Sequence, residues 1–303
     1  DDDGYLWRVV LSDAQQGQAI GDLVAYYGLE NPAILYQYGD YYTEDTADSV
    51  ENRLNENGID VCLKISYEAG QTDYSSEISE IDNENCDSMV MISYAEDGAA
   101  IIEELRDQDV NIPVFGGDTI ADRDFLYEFS DPSDAEGVFA TKSHCFHAWE
   151  YRCDTTEGTY FDADYNVKCE EEYEGGDCED GIYLHEAYDS VMILGRAIYA
   201  AGYPGLEGEA IRDMLPYVGR SYQGASGLID FDENGDISGN GFDICRFEYV
   251  EDDLEFICRG TWTLNKGIKG VDFEVILPVL AACWKEQGKS IVAGSKRSPE
   301  NKV

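Results

Sequence analysis

From residue 6 to about residue 129, short apolar runs alternate with amphipathic stretches, and that alternation limits the possible folds more than any other feature of the chain. Ala33-Ile34-Leu35-Tyr36 reads as a buried strand. Residues 45–57 carry Val50 and Leu54 on one helical face and run into Gly58, a residue suited to closing a helix. Residues 61–65 read as the next strand, 74–81 as a short helix and 88–92 as a strand. Residues 98–108, with Ile101, Ile102 and Leu105, read as a helix before a strand at 113–115. Strands separated by helices of this length predict an α/β fold with a parallel sheet built from right-handed crossovers. Residues 144–182 break the rhythm and read as an irregular insertion. Helical periodicity returns over 183–201, with Ala187, Val191, Leu194 and Ile198 on one face, and 207–218 offers another helix. A strand at 228–231 and a hairpin around Glu251-Asp252-Asp253 follow.

Charge narrows the function classes. The 303 residues hold 64 Asp and Glu against 20 Lys and Arg, a formal charge of −44. A hydrophobic fraction of 43% is too apolar for a disordered acidic chain, so the acidity is a solvated coat on a globular body. Nucleic-acid binding is excluded, because it needs Lys and Arg to neutralise phosphates, and an anionic membrane surface would repel this chain. The charge is uneven: 60 acidic and 13 basic residues over 1–265, but 4 and 7 over 266–303. The longest apolar run, 275–284, is too short to span a bilayer and contains Pro278. The chain opens on Asp1-Asp2-Asp3 with no leader pattern, as expected of a mature, trimmed or partial polypeptide.

Nine cysteines point to disulfides and an oxidising, extracytoplasmic setting. Cys245 and Cys258 flank the predicted hairpin and are candidates for a cross-strand bridge. Cys153, Cys169 and Cys178 sit in the acidic insertion and are further candidates. Zinc is disfavoured, since no CxxC or tight Cys/His spacing is present. No GxSxG, Walker loop or HExxH array occurs, so nothing marks the chain as an enzyme.

The order of local motifs is more specific. Trp7-Arg8-Val9-Val10-Leu11-Ser12-Asp13-Ala14-Gln15-Gln16-Gly17 resembles the hinge strand and first second-lobe helix of type 1 periplasmic binding proteins of the branched-chain amino-acid type. The segment from Ala33 to Tyr42 resembles that family's strand and tyrosine-bearing loop. Gly70-Gln71-Thr72-Asp73-Tyr74-Ser75, Ser93-Tyr94, Phe115-Gly116-Gly117-Asp118, Glu136-Gly137-Val138, Tyr188-Asp189-Ser190-Val191 and the turn from Phe231 to Asp236 follow in the family's order. The resemblance covers about residues 5–262. It implies a two-lobed α/β fold, with parallel sheets flanked by helices and a cysteine-rich insertion, whose lobes close on a ligand.

The resemblance implies a hinge strand at 1–10, a second lobe at 11–136, a hinge crossing at 137–143, and part of the first lobe at 144–230 with a Cys/Asp-rich insertion at 145–180. Residues 231–262 would form a hinge and second-lobe return with the hairpin, and 263–303 a basic tail. Family members carry a first-lobe segment ahead of the motif at Trp7, where this chain starts. The resemblance implies that this segment is missing, disordered or supplied differently; Phe273 to Leu280 and Ile291 to Ser295 resemble first-lobe strands, and the alternative for the tail is a C-terminal extension that packs on the lobe.

Capture of an amino acid needs a carboxylate for its ammonium group and an apolar or aromatic pocket for its side chain. The resemblance implies Asp118 in the ammonium role, with Tyr94 over the ligand and Tyr42 from the loop, where Tyr41 is its rival. It implies an extracytoplasmic solute-binding protein that takes an amino acid or similar small polar ligand and delivers it to the membrane permease of an ABC-type importer. No cofactor is required. The alternative is a structural or surface-assembly subunit on the same fold, with self-assembly and calcium stabilisation. Asp162, Asp164 and Asn166 have calcium-ligand spacing, and residues 154–180 hold eleven carboxylates and one Lys, so Ca2+ would relieve their repulsion. Asp230, Asp232, Asn234 and Asp236 match half of a calcium loop, but position twelve is Gly241, which favours a plain acidic turn.

Overall fold

A computed structural model describes residues 3–143, 161, 164, 165, 167–169, 183–202, 207–238, 241–264, 266–271 and 273. Its frame is a sheet in which sequence neighbours serve opposite faces. Ile34, Val90 and Ile92 join one buried cluster, while Ala33, Leu35, Met89 and Met91 join the other. This is the two-residue period of a strand covered on both sides, and it explains why these runs are apolar throughout.

In chain order the elements are α1 (Asp13–Tyr26), β1 (Pro32–Gln37), α2 (Tyr41–Glu56), β2 (Leu63–Tyr67), α3 (Ser75–Asn83), β3 (Ser88–Ile92), α4 (Ala95–Asp107), β4 (Val114–Gly116) and β5 (Phe139–Ser143). Three 3-10 turns lie between β4 and β5. Then come α5 (Leu184–Ala201), α6 (Gly208–Arg212), α7 (Leu215–Val218), β6 (Tyr222–Gly224), β7 (Gly227–Ile229), β8 (Gly241–Val250), β9 (Asp253–Thr263) and β10 (Gly267–Lys269). The main sheet has the order β10-β9-β8-β5-β4-β3-β1-β2. Strands β1 to β5 run parallel, and β8, β9 and β10 add on antiparallel. Strands β6 and β7 form a separate small hairpin.

Helices α1 and α2 cover one face of the sheet, α3 and α4 the other. The first pair packs closely because α1 is bare where they meet. A Cβ on Gly17 would lie 2.5 Å from the Ser49 Cβ and 2.8 Å from the Thr46 carbonyl oxygen. Asp22 locks the pair: Arg53 donates to its two carboxylate oxygens at 2.7 and 3.0 Å. Asn57 and the indole of the buried Trp262 donate to it at 3.0 and 2.8 Å.

Two helices start earlier than periodicity predicts, because a polar first turn precedes the apolar stripe. Asp40 caps α2, accepting from the Thr43 backbone amide at 3.0 Å, so α2 begins four residues before Asp45. Helix α4 starts at Ala95 rather than Gly98, with Glu96 and Asp97 in its first turn favoured by the helix dipole. The predicted helix over 207–218 splits into α6 and α7 because Pro216, in the first turn of α7, lacks the amide hydrogen a continuous helix would need.

Helix α5 corrects the sequence reading in a different way. Ala187, Val191, Leu194 and Ile198 share a face, but it is the exposed one: Val191 is 70% and Leu194 48% accessible. The buried face is Glu186, Asp189, Ile193 and Ala197. Asp189 accepts the Ala225 and Ser226 amides at 2.8 and 2.7 Å and the Ser226 hydroxyl at 2.6 Å, pinning α5 to the turn between β6 and β7.

Cys245 and Cys258 stand opposite each other on β8 and β9 and form a disulfide, as expected from the hairpin. A second bridge, Cys62–Cys86, was not anticipated; it ties the entry of β2 to the loop after α3 across 24 residues. Cys169 is disulfide-bonded as well. Cys153 and Cys178 lie outside the described residues, as do Asp162, Asn166 and both predicted strands beyond Phe273.

Candidate functional site

The parallel strands β1, β3 and β4 all deliver chain to one edge of the sheet at their C-terminal ends, the place where open α/β sheets offer a crevice. Beyond β1 the chain turns through Asp40 into α2, placing Tyr42 in its first turn. Beyond β3 comes Tyr94, the N-cap of α4. Beyond β4 comes Gly117 and then Asp118, which opens a 3-10 turn. The three residues singled out in the sequence therefore meet. Tyr42, Tyr94 and Asp118 line one cavity of about 220 Å³, together with Asp13, Gln16, Thr119, Tyr183 and Phe242.

Asp118 is the centre of the cavity's hydrogen bonding. It is only 8% accessible, Tyr42 donates to one of its oxygens at 3.1 Å, and Tyr183 donates to the other through a short bond. Burial and the Asp118 charge push both phenols well above their ordinary range, so they stay protonated donors. Tyr42 also reaches the Gln16 amide oxygen at 3.0 Å, and its ring lies 6.0 Å from that of Tyr94. The Tyr94 hydroxyl points to Asp40 at 3.4 Å. Thr119 donates to the Ser93 carbonyl at 2.5 Å, and the buried Tyr67 donates to the Ser93 hydroxyl at 2.7 Å. The site is thus backed by a second layer that fixes the loop after β3.

Gly117 is needed for this arrangement. A Cβ there would stand 2.3 Å from the Tyr42 hydroxyl and 3.1 Å from Gln16 Oε1. Its backbone is extended, so the requirement is for space and not for unusual dihedrals. Chemically, the wall is an aromatic-edged seat around a carboxylate whose orientation two phenols determine. Such a seat suits an ammonium group on a ligand with some apolar body.

Asp13, Gln16, Thr119 and Tyr183 were not singled out as site residues in the sequence. Asp13 and Gln16 had a signal: they lie three residues apart at the start of α1, so both face the strand ends. Tyr183 had none. It reaches Asp118 from a left-handed backbone position, φ 65°, just ahead of α5, and nothing in its neighbourhood announces that geometry.

Among the described residues, no group of three or more His, Cys, Asp or Glu side chains is arranged to hold a metal ion. Asp164 is exposed on helical backbone. The acidic turn at Asp230 to Asp236 closes on its own backbone: Asp232 accepts the Asn234 and Asp236 amides at 2.8 and 3.0 Å. Arg8 pairs with Asp236 at 2.7 Å.

Comparison with known proteins bears on the fold. A family model described as "Periplasmic binding protein" matches residues 1–242. The leucine-, isoleucine-, valine-, threonine- and alanine-binding protein of Pseudomonas aeruginosa is 22% identical over 253 residues, which is 82% of this chain and 62% of that protein. A Leu/Ile/Val-binding protein of Rhizobium johnstonii is 23% identical over 68% of this chain and 52% of its own length. The chain therefore spans between half and two thirds of these curated relatives. Among solved structures, a leucine-binding protein from Thermotoga maritima superposes with a TM-score of 0.71 at 21% identity, covering 86% of this chain and 68% of that one. A solute-binding protein from R. palustris, solved with benzoate, superposes with a TM-score of 0.63 at 14% identity, covering 89% and 67%.

Proposed function

The chain belongs to the periplasmic binding protein family, and from that premise we propose that it captures a small polar ligand bearing an ammonium group for an ABC-type importer. The observation that carries this reading is the convergence of Asp118, Tyr42 and Tyr94 on one cavity at the strand ends, with both Asp118 oxygens fixed by phenols. Residues 11–136 would form the second lobe and 144–230 part of the first, and the ligand would bridge them. Binding would then bias the hinge toward closure, giving the permease a shape to recognise. No chemistry is required of the protein, and no cofactor. An extracytoplasmic location agrees with the disulfides and with the family. Among the described residues no helix is long and apolar enough to cross a membrane.

The relatives are named for branched-chain and small amino acids, and one was solved with benzoate, which frames the panel to try. A ligand that binds the folded state raises its melting temperature. Full-length protein should show a clear, concentration-dependent thermal shift with at least one amino acid, amide or amine. No shift across the whole panel would sink the proposal.

A second reading, an assembly subunit on the same fold, draws on the exposed face of α5, which carries Val191, Leu194 and Ile198. Native mass spectrometry showing only monomer, with and without calcium, would remove it.

A further inference from the structure

The cavity holds more negative charge than a single ammonium group requires, and its hydroxyl protons are already committed. Tyr42 and Tyr183 give theirs to Asp118, Tyr94 to Asp40, and Thr119 to the Ser93 carbonyl. Asp13 lines the same cavity as Asp118. Its carboxylate is not consumed by its own helix, because Ser12 caps α1 through the Gln15 amide. Among the described residues Asp13 accepts no hydrogen bond and closes no ion pair. Its nearest acting cation, Arg8, is engaged by Asp236 at 2.7 Å. No Lys or Arg among the described residues lines the cavity.

Gln16 supplies an independent pointer to a ligand. It is 2% accessible, it lines the cavity, and one end of its amide has no partner. Tyr42 has a single proton, which cannot serve both Asp118 and Gln16 Oε1, though both lie within 3.1 Å. Turning the amide over resolves the conflict: Gln16 donates to Tyr42, Tyr42 donates to Asp118, and the unpartnered end becomes the amide oxygen. The residues that line the cavity then hold two carboxylates and an amide carbonyl, all acceptors.

We propose that this cleft selects an organic ligand with two cationic nitrogens, one on Asp118 and one on Asp13, as in a basic amino acid or an aliphatic diamine. The inference rests on the solute-capture reading and sharpens it. A neutral amino acid would leave half-buried Asp13 facing the Asp118 charge with no partner of its own, since Arg8 is held by Asp236. Consistent with that cost, burial and then the Asp118 charge raise the Asp13 carboxyl above its usual range.

Calorimetric titration of the full-length protein with L-lysine, L-ornithine, 1,5-diaminopentane, L-leucine and benzoate tests this. At least one of the three dicationic compounds should bind about tenfold or more tighter than leucine, as expected for one additional partly buried charge contact. Diamine binding as tight as lysine would identify a diamine site, and lysine alone a basic amino-acid site; either supports the proposal. Asp13→Asn should bring the preference to within about twofold, and Asp13→Glu should largely retain it. Leucine or benzoate binding as tightly as the dications would overturn the inference and leave solute capture standing. So would an unchanged preference in Asp13→Asn. Failure of every compound, including the wider panel, would remove both.

Discussion

Replacing Gly117 with alanine tests whether Tyr42 is held where the site needs it. The new Cβ would lie 2.3 Å from the Tyr42 hydroxyl, where ordinary contact begins near 3.4 Å. Tyrosine is rigid beyond Cβ, so the hydroxyl must retreat by roughly 1 Å. Its bonds to Asp118 and Gln16, at 3.1 and 3.0 Å, would then open beyond hydrogen-bonding range. One of these reaches a carboxylate, so the loss should be about 2 kcal/mol. Tyr42→Phe removes the same hydroxyl and should cost a similar amount. In that background the nearest obstacle to the alanine is Gln16 Oε1 at 3.1 Å, which can move. The double variant should therefore be little worse than Tyr42→Phe alone, a coupling of about 1.5 kcal/mol. Urea unfolding of the four proteins measures the cycle without any knowledge of the ligand. Costs that add within about 0.5 kcal/mol would refute the placement of Tyr42 against Gly117.

Other perturbations reach the scaffold behind the site. Asp22→Ala strips the acceptor from Arg53, Asn57 and Trp262 and should cost about 3 kcal/mol in urea unfolding. Burial works against the Asp22 charge, but the bonds from Arg53, Trp262 and Asn57 outweigh it and hold its pKa below the ordinary 3.8. Its stabilisation is therefore complete above that value and lost as pH falls through the lower folded value, so Asp22→Asn should flatten the acid limb of a stability profile. Asp189→Ala leaves three buried donors without their acceptor and should cost about 3 kcal/mol, loosening α5 first in hydrogen exchange. Cys62→Ser with Cys86→Ser opens a 24-residue crosslink and should lower stability by about 3 kcal/mol, with little change in ligand affinity by calorimetry.

The sequence revealed the parallel sheet because its signals are local and repeated. Apolar runs such as Ser88–Ile92 appear as strands with the predicted ends, since both faces of β3 are covered and every residue is buried. The hairpin bridge was readable because Cys245 and Cys258 flank a turn. Cys62 and Cys86 gave no comparable sign: the bridge depends on how α3 returns the chain beside β2, which spacing does not encode. The site was half legible for the same reason. Asp118, Tyr94 and Tyr42 each follow a recognisable strand. Tyr183 arrives from 65 residues away through a left-handed turn, and only the folded chain shows it on Asp118. On α5, periodicity identified a genuine apolar face but not which face is covered. The buried side is set by Asp189 and its three donors, so a polar network determines the helix's orientation there.

The central claim is that Asp118 holds the cationic end of a captured solute. Calorimetric titration of wild type and Asp118→Ala, with whichever ligand gives the largest thermal shift, addresses it directly. The account predicts an affinity loss of at least about 100-fold, the scale for truncating one partner of a buried hydrogen-bonded charge pair. Circular dichroism of the variant should still show the native fold. An Asp118→Ala protein that is folded and binds within about threefold of wild type would contradict it.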